Sequence, residues 1–146
     1  MKILLLGKNG QVGWELQRSL QPLGELIALD RNSSPLCGDL LQPAALAEAV
    51  RAVAPDVIVN AAAYTAVDKA ESDVDAARTI NAEAVGVLAR EAKALGAWLV
   101  HYSTDYVFDG SGTVPWQESD ATGPLSVYGQ TKLQGEQAIA ESGAKH

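Results

Sequence analysis

Lys2-Ile3-Leu4-Leu5-Leu6-Gly7-Lys8-Asn9-Gly10-Gln11-Val12-Gly13 opens the chain, and its reading decides the fold. The run from Lys2 to Leu6 reads as a short strand buried on both faces. After the glycine-rich turn, Val12, Leu16, Leu20 and Leu23 recur at helical spacing. A second apolar run, Leu26-Ile27-Ala28-Leu29, ends on Asp30. Strand, glycine turn, helix, strand and acid, in that order, is the layout of a βαβ unit that binds a dinucleotide. Gly7 permits the tight turn, Gly10 lets backbone approach a pyrophosphate, and Gly13 lets the helix pack close to the strand. The helix start offers free N–H groups and a positive dipole end. Asp30 is placed to accept hydrogen bonds from the adenosine ribose. An ordinary strand-to-helix turn can also carry glycines. The flanking elements, and an acid about 20 residues on, select the dinucleotide reading.

Bulk properties narrow the field. The 146 residues suffice for one domain, and 47% apolar with 20% charged residues matches a globular chain with a real core. A net charge of −7 and the lack of a basic run argue against nucleic acid as a partner. The lone Cys37 excludes an internal disulfide, fits a reducing compartment and reads as a small buried hydrophobe. Ile3 to Leu6 is too short for a secretory segment, and no stretch is long enough to span a bilayer. The expectation is a soluble cytoplasmic protein with no membrane partner.

Arg31-Asn32-Ser33-Ser34-Pro35 reads as a loop. Arg31 suits a 2′-phosphate or an adenine face, or stands as a solvated charge. Asp30 favours NAD and Arg31 tolerates NADP, so the choice between NADH and NADPH stays open. Asp39 is either a loop acid or a partner for the adenine amino group. A helix is predicted from Pro43 to about Val53, then a strand over Asp56-Val57-Ile58-Val59. That strand runs into Asn60-Ala61-Ala62-Ala63-Tyr64, whose small residues let backbone lie against a flat ligand or pack as compact core. Asp68 to Leu95 reads as helix interrupted near Ser72-Asp73, with Ala77, Ile80, Ala84, Leu88, Ala92 and Leu95 buried. Gly96 is a natural stop. A fourth strand, Trp98 to Tyr102, leads to Ser103-Thr104-Asp105-Tyr106, a loop from Asp109 to Pro124, and a helix from about Val127 to Ala140. His101 reads as a satisfied core histidine. Trp14, Trp98 and Trp116 read as packing, although Trp116, in the loop, could touch a ligand.

Alternating strands and helices predict a parallel sheet covered on both faces, a Rossmann-like doubly wound fold, with strand order 3-2-1-4. Such sheets have about six strands when complete. The chain therefore reads as truncated, with Gly143-Ala144-Lys145-His146 where a fifth strand would begin. Ligands bind such sheets at the carboxyl ends of the strands, where Gly7, Asp30, Ala61 and Thr104 fall. Tyr128 and Lys132, four apart, share a helix face. A free phenol, with a pKa of ~10, is a weak acid, and a neighbouring ammonium favours its phenolate. Reduction of a carbonyl follows, with Tyr128 as proton donor, Lys132 assisting and holding the nicotinamide ribose, and Thr104 bonding the oxygen. A surface helix pair is the plain alternative for Tyr128 and Lys132.

Gly7-x-x-Gly10-x-x-Gly13, Thr104 and Tyr128-x-x-x-Lys132 together resemble the extended short-chain dehydrogenase/reductase superfamily. Three longer strings, Asn60 to Glu71, Ser103 to Gly110 and Pro124 to Glu136, are similar to the dTDP-4-dehydrorhamnose reductase family over the whole chain. The resemblance implies reduction of the C4 ketone of dTDP-4-dehydro-L-rhamnose by NADPH or NADH, for bacterial surface polysaccharide such as lipopolysaccharide. It implies cofactor contacts from Gly10-Gln11-Val12, Asp30, Asp39-Leu40, Ala63-Tyr64-Thr65, Tyr128 and Lys132. Thr104 and Asp105 would meet the sugar. Family members are considerably longer. The expectation is thus that residues 1–146 form an NAD(P)-binding domain lacking the substrate domain, which binds cofactor weakly and turns over little. Some members are said to hold Mg2+ at a dimer contact through an acid placed like Glu15. Glu15 is equally a solvated helix charge, so no metal ligand is assigned, and a homodimer stays open.

Two other functions compete. Sugar-nucleotide dehydratases are similar but carry an Asp-Glu pair after the threonine, whereas Tyr106 follows Asp105 here. A non-catalytic regulatory subunit of the methionine adenosyltransferase β type is also similar. The presence of Thr104, Tyr128 and Lys132 favours the enzyme.

Overall fold

The computed structural model describes residues 1–146. β1 (Lys2–Leu6) leads through the glycine turn to α1 (Gln11–Leu20), a short 3-10 turn (Gln21–Leu23) and β2 (Glu25–Leu29). α2 (Pro43–Val53) precedes β3 (Val57–Asn60). Two short helices follow, α3 (Val67–Ala70) and α4 (Val74–Arg78), then a π turn (Thr79–Glu83) running into α5 (Ala84–Leu95). β4 (Trp98–His101), a 3-10 turn (Asp105–Val107) and α6 (Val127–Ser142) complete the chain. All strand pairs are parallel, with Leu4 opposite both Ile27 and Ile58, and Ile58 opposite Leu99.

Alternation along β1 divides the core. Leu4 and Leu6 point to one face, where Leu46 and Val50 of α2 and Val85 and Leu88 of α5 bury them. Ile3 and Leu5 point to the other, against Leu16 and Leu20 of α1. Helices therefore cover both faces, as a doubly wound sheet requires. Val12 and Leu23, expected on the buried stripe of α1, are exposed. The stripe runs instead through Gly13, Leu16 and Leu20, because backbone contact at Gly13 draws that edge of the helix down.

The strand order is β2-β1-β3-β4, not 3-2-1-4. α2 lies on the face opposite α1, packed beside α5. With right-handed crossovers, a helix on that face carries the chain back past β1, so β3 pairs with β1 on its free side. The chain thus leaves β1 and β3 toward opposite sides, and the crevice between their carboxyl ends is the sheet's switch point.

The long helical stretch breaks after α3, as expected near Ser72-Asp73, and again at the π turn, which the spacing did not announce. Ala77, Ala84, Leu88 and Ala92 are buried, but Leu95 is exposed, because the chain turns at Gly96 (φ 69°) and buries Ala97 instead. Trp14 and Trp98 are exposed rather than packed. Trp14 faces away from the sheet, next to the buried Gly13, and Trp98 begins the outermost strand. Trp116 stacks on Phe108 with ring centroids 4.7 Å apart but also stays exposed. Along the outer edge of β4, Leu99 N–H donates to the Lys145 carbonyl at 2.8 Å, and Trp98 bridges Lys145 in parallel. This is where a fifth strand was expected. No helix is long and apolar enough to cross a membrane.

Candidate functional site

The glycine turn is built by close approach. Gly7 has φ 86°, in the left-handed region, and a Cβ there would lie 2.8 Å from Ala62 N. At Gly13 a Cβ would lie 2.0 Å from the Gly7 carbonyl oxygen, so only glycine lets α1 begin here. Gly10 differs. Its Cβ would meet only the Gly7 oxygen at 3.5 Å, and the open space beside it is room for a ligand. Gly10 is also the N-cap of α1 and offers no side-chain cap, so first-turn N–H groups of Gln11, Val12 and Gly13 face that space. The turn is held against the end of β2, where Gly7 N–H donates to the Leu29 carbonyl at 2.9 Å.

Asp30 stands at that strand end. Its carboxylate accepts from Ser33 Oγ (2.9 Å), Asn32 N–H (3.0 Å) and the Asn9 amide. The Ser33 hydroxyl, the Asn32 N–H and the charge of Lys8 hold its pKa below the usual carboxylate value, so it is a standing acceptor. Arg31 is exposed beside it. The chain then returns past the same strand end, since a Cβ on Gly38 would lie 2.6 Å from the Asp30 carbonyl oxygen. That return sets Asp39 near Asp30, where it accepts from Leu41 N–H and the Gln42 side chain, each at 3.0 Å. The Leu40 side chain belongs to the core, so only its backbone is available to a ligand. Cys37 is half-buried in this loop rather than in the core.

Across the crevice, Ala61-Ala62-Ala63-Tyr64-Thr65 leaves β3 close to Gly7, with Ala61 N–H donating to the Leu6 carbonyl at 3.0 Å. Two buried amides, singled out for no role by sequence, set its course. Asn60 Oδ1 accepts from Ala62 N–H at 3.1 Å. Asn81, on the π turn, accepts from Tyr64 N–H at 2.9 Å and donates to the Tyr64 carbonyl at 3.1 Å and Thr131 Oγ1 at 3.2 Å. The signal was present. Asn81 is a polar residue inside the apolar stripe, four after Ala77 and three before Ala84. Tyr64 turns its hydroxyl to Asp73 Oδ2 (3.0 Å), and burial with that carboxylate raises its pKa.

Thr104 ends the loop after β4 and caps the 3-10 turn, its Oγ1 accepting from Tyr106 N–H at 3.2 Å. The first turn of α6 lies directly on this turn, since a Cβ on Gly129 would come 2.3 Å from the Tyr106 carbonyl oxygen. Ser126 Oγ accepts from Gly129 N–H (3.1 Å), and Glu71 accepts from Val127 N–H (2.8 Å), fixing where the helix starts. Tyr128 therefore meets Tyr106 edge-on, centroids 5.6 Å apart. A cavity of about 350 Å3, lined by Asp105, Tyr106, Phe108 and Ser126 among others, opens there. One turn on, Lys132 is buried, its Nζ bonded to the Tyr102 carbonyl and 3.1 Å from His101 Nε2. Burial lowers its pKa to about 8, opposed by the Glu136 carboxylate. Burial and the Lys132 charge push His101 down to about 3, so its ring is neutral. His101 Nδ1 lies 3.1 Å from Asn60 Nδ2, which joins the lysine to the alanine loop.

Gly7, Gly10, Gly13, Asp30 and the 61–65 loop thus fit a dinucleotide, with a cradle that a Cβ would fill and an acid at the second strand end. No group of three His, Cys, Asp or Glu side chains is arranged to hold a metal ion. Fold and site together define a Rossmann-like α/β domain. The chain belongs to the RmlD substrate binding domain family, whose model matches residues 1–146. It is 62% identical over 146 residues to the dTDP-4-dehydrorhamnose reductase of Salmonella typhimurium, covering 100% of this chain and 49% of that protein. Among solved structures it is similar to a dTDP-4-dehydrorhamnose reductase of Clostridium acetobutylicum, with TM-score 0.89 and 42% identity over 97% of this chain and 49% of that one. The dTDP-4-dehydrorhamnose reductase of Bacillus anthracis in complex with NADP gives TM-score 0.90 at 34% identity, over 99% and 50% of the two chains. The chain spans about half the length of the relatives it matches.

Proposed function

We propose that residues 1–146 form the cofactor-binding unit of a reductase that converts the C4 ketone of dTDP-4-dehydro-L-rhamnose to dTDP-L-rhamnose, using NADPH or NADH. One observation carries the reading: the first turn of α6, with Tyr128, sits on the Thr104 turn at the same edge of the sheet as the glycine turn. The first N–H groups of α1 take the pyrophosphate, Asp30 the adenosine ribose, and Arg31 a 2′-phosphate where one is present. Asp39, the Leu40 backbone and the 61–65 loop flank the rest of the cofactor. A bound dihydronicotinamide supplies the hydride. Tyr128 donates a proton to the carbonyl oxygen, and Thr104 donates a hydrogen bond to the same oxygen. Lys132 lies one turn along α6 from Tyr128, where an ammonium would favour loss of that proton and the amine can hold a ribose hydroxyl. Asp105 faces the sugar.

The test is reduction of dTDP-4-dehydro-L-rhamnose with NADPH and with NADH by the chain in its natural polypeptide context. Tyr128→Phe is expected to lower kcat by a factor of 10² to 10⁴ (roughly what general acid catalysis supplies) with cofactor affinity retained. Turnover undiminished in Tyr128→Phe would remove the phenol from the chemistry. Absence of turnover in the wild type, with tight cofactor binding, would favour a regulatory binding subunit instead.

A further inference from the structure

A proton count at the buried end of the site leads further. Ala62 N–H can only donate, so the atom facing it at 3.1 Å must be the Asn60 oxygen. The Asn60 NH2 therefore faces His101 Nδ1 at 3.1 Å and donates to it. A neutral imidazole has one nitrogen with a lone pair and one with a proton. With Nδ1 accepting, Nε2 carries the hydrogen, and it points at Lys132 Nζ, 3.1 Å away. An ammonium has three donors and no acceptor, so it would set N–H against N–H at that distance. A free amine has the lone pair that the contact needs, and still donates to the Tyr102 carbonyl.

We propose that His101 is a positioning residue: held by Asn60 as the Nε2–H tautomer, it points a donor at Lys132 and so favours the lysine's uncharged amine over its ammonium in the ligand-free site. The surroundings agree. Lys132 is 2% exposed, and its burial favours the uncharged form. Around it stand His101 from β4, and Tyr128 and Glu136 from α6. Glu136 favours the ammonium but is itself engaged by Ser103 Oγ. From the π turn, the neutral Asn81 bonds Thr131, the residue before Lys132, and Tyr64. The opposite arrangement, ammonium to Nε2 and Nδ1–H to Asn60, requires the Asn60 amide to turn over. Ala62 N–H would then lose its acceptor, beside Gly7. The charge on Lys132 is thereby coupled to the loop that flanks the proposed cofactor.

The proposal rests on the reading above only for what the lysine is for, and proton positions can be read with neither cofactor nor turnover. The chain has two histidines, so long-range 1H–15N spectra of the imidazoles report the His101 tautomer directly. Labelled lysine, with Lys132→Arg to assign the signal, reports the Lys132 titration. The wild type is expected to show His101 as Nε2–H, and Lys132 titrating well below the ordinary lysine value of about 10.4. Asn60→Asp offers an acceptor to both Ala62 N–H and the ring. It is expected to switch His101 to Nδ1–H and move the Lys132 titration up toward the ordinary value. His101→Asn keeps an acceptor for Asn60 but removes the ring N–H, and is expected to move the lysine the same way without new charge. Wild-type His101 found as Nδ1–H, or Lys132 titrating with surface lysines, overturns the proposal whichever variants fold.

Discussion

Lys132 and His101 are bases whose affinity for a proton falls when the chain folds, and both leave a mark on stability. Between about pH 8 and the unfolded value near 10.5, the unfolded chain binds the proton that folded Lys132 has released. Stability therefore rises with pH across that window, and below pH 8 the cost of burying the ammonium is present in full. Lys132→Met removes that cost. Urea titrations are expected to find the variant more stable at pH 7 by a few kcal/mol (at about 1.4 kcal/mol per tenfold change in proton affinity), with the gap closing by pH 10. His101 works in acid. From its ordinary value of 6.5 down to about 3 the unfolded chain takes up a proton that the folded ring refuses, so stability falls as pH falls. His101→Gln is expected to flatten the stability profile between pH 6.5 and 3, and an unchanged slope there would show that the ring already titrates freely in the fold. Sequence reading named Lys132 from its spacing to Tyr128 and read His101 correctly as a satisfied histidine. That the two touch depends on β4 and α6 being neighbours, which no local pattern encodes.

Two elements are positioned by backbone that admits no side chain. Where α1 meets the glycine turn, Gly13→Ala forces a Cβ to within 2.0 Å of the Gly7 carbonyl oxygen, against backbone that cannot swing away. The expected cost is about 2 kcal/mol or more, at the upper end of overpacking, read as a lower urea midpoint with an unchanged m-value. Gly10→Ala, with its nearest contact at 3.5 Å, is expected to leave stability within about 0.5 kcal/mol, and to weaken NADPH binding if the open space takes the cofactor. A similar approach holds α6 on the π turn. Gly135→Ala sets a Cβ 2.3 Å from the Asn81 carbonyl oxygen. It is expected to loosen the amide that holds Tyr64, and to raise hydrogen exchange of the Tyr64 N–H along with the drop in stability. The glycine turn was legible because strand, turn, helix and acid lie within thirty residues and interact locally. The π turn was not. Its extra residue is stabilised by what Asn81 reaches, Tyr64 and Thr131, and those partners are far away in sequence.

For the molecule as a whole, the sheet's switch point sets what a ligand must do. The turn after β1 and the loop after β3 diverge to opposite faces, so a dinucleotide in the crevice ties both halves of the sheet together. NADPH or NADH at a hundredfold excess over its Kd is expected to add about 2.7 kcal/mol of stability, seen as a rise in Tm. Asp30→Ala should reduce the gain by about 1–3 kcal/mol if its carboxylate bonds the ribose, and the difference between the two cofactors measures what Arg31 contributes. An equal Tm rise in the variant would place the ribose elsewhere.

Local sequence determined which stretches are strands and helices, that the sheet is parallel and covered on both faces, which strand ends carry the glycines, Asp30 and Thr104, and that Tyr128 and Lys132 share one helix. Those follow from periodicity, turn chemistry and the reach of residues near in sequence. Tertiary structure alone decided the strand order, because α2 settled against α5 and sent β3 to the free side of β1. It alone decided that Asn60, His101 and Lys132 form one chain of hydrogen bonds. Such contacts depend on burial and on a register between elements thirty or more residues apart, and the energies that select them exist only once the sheet has formed.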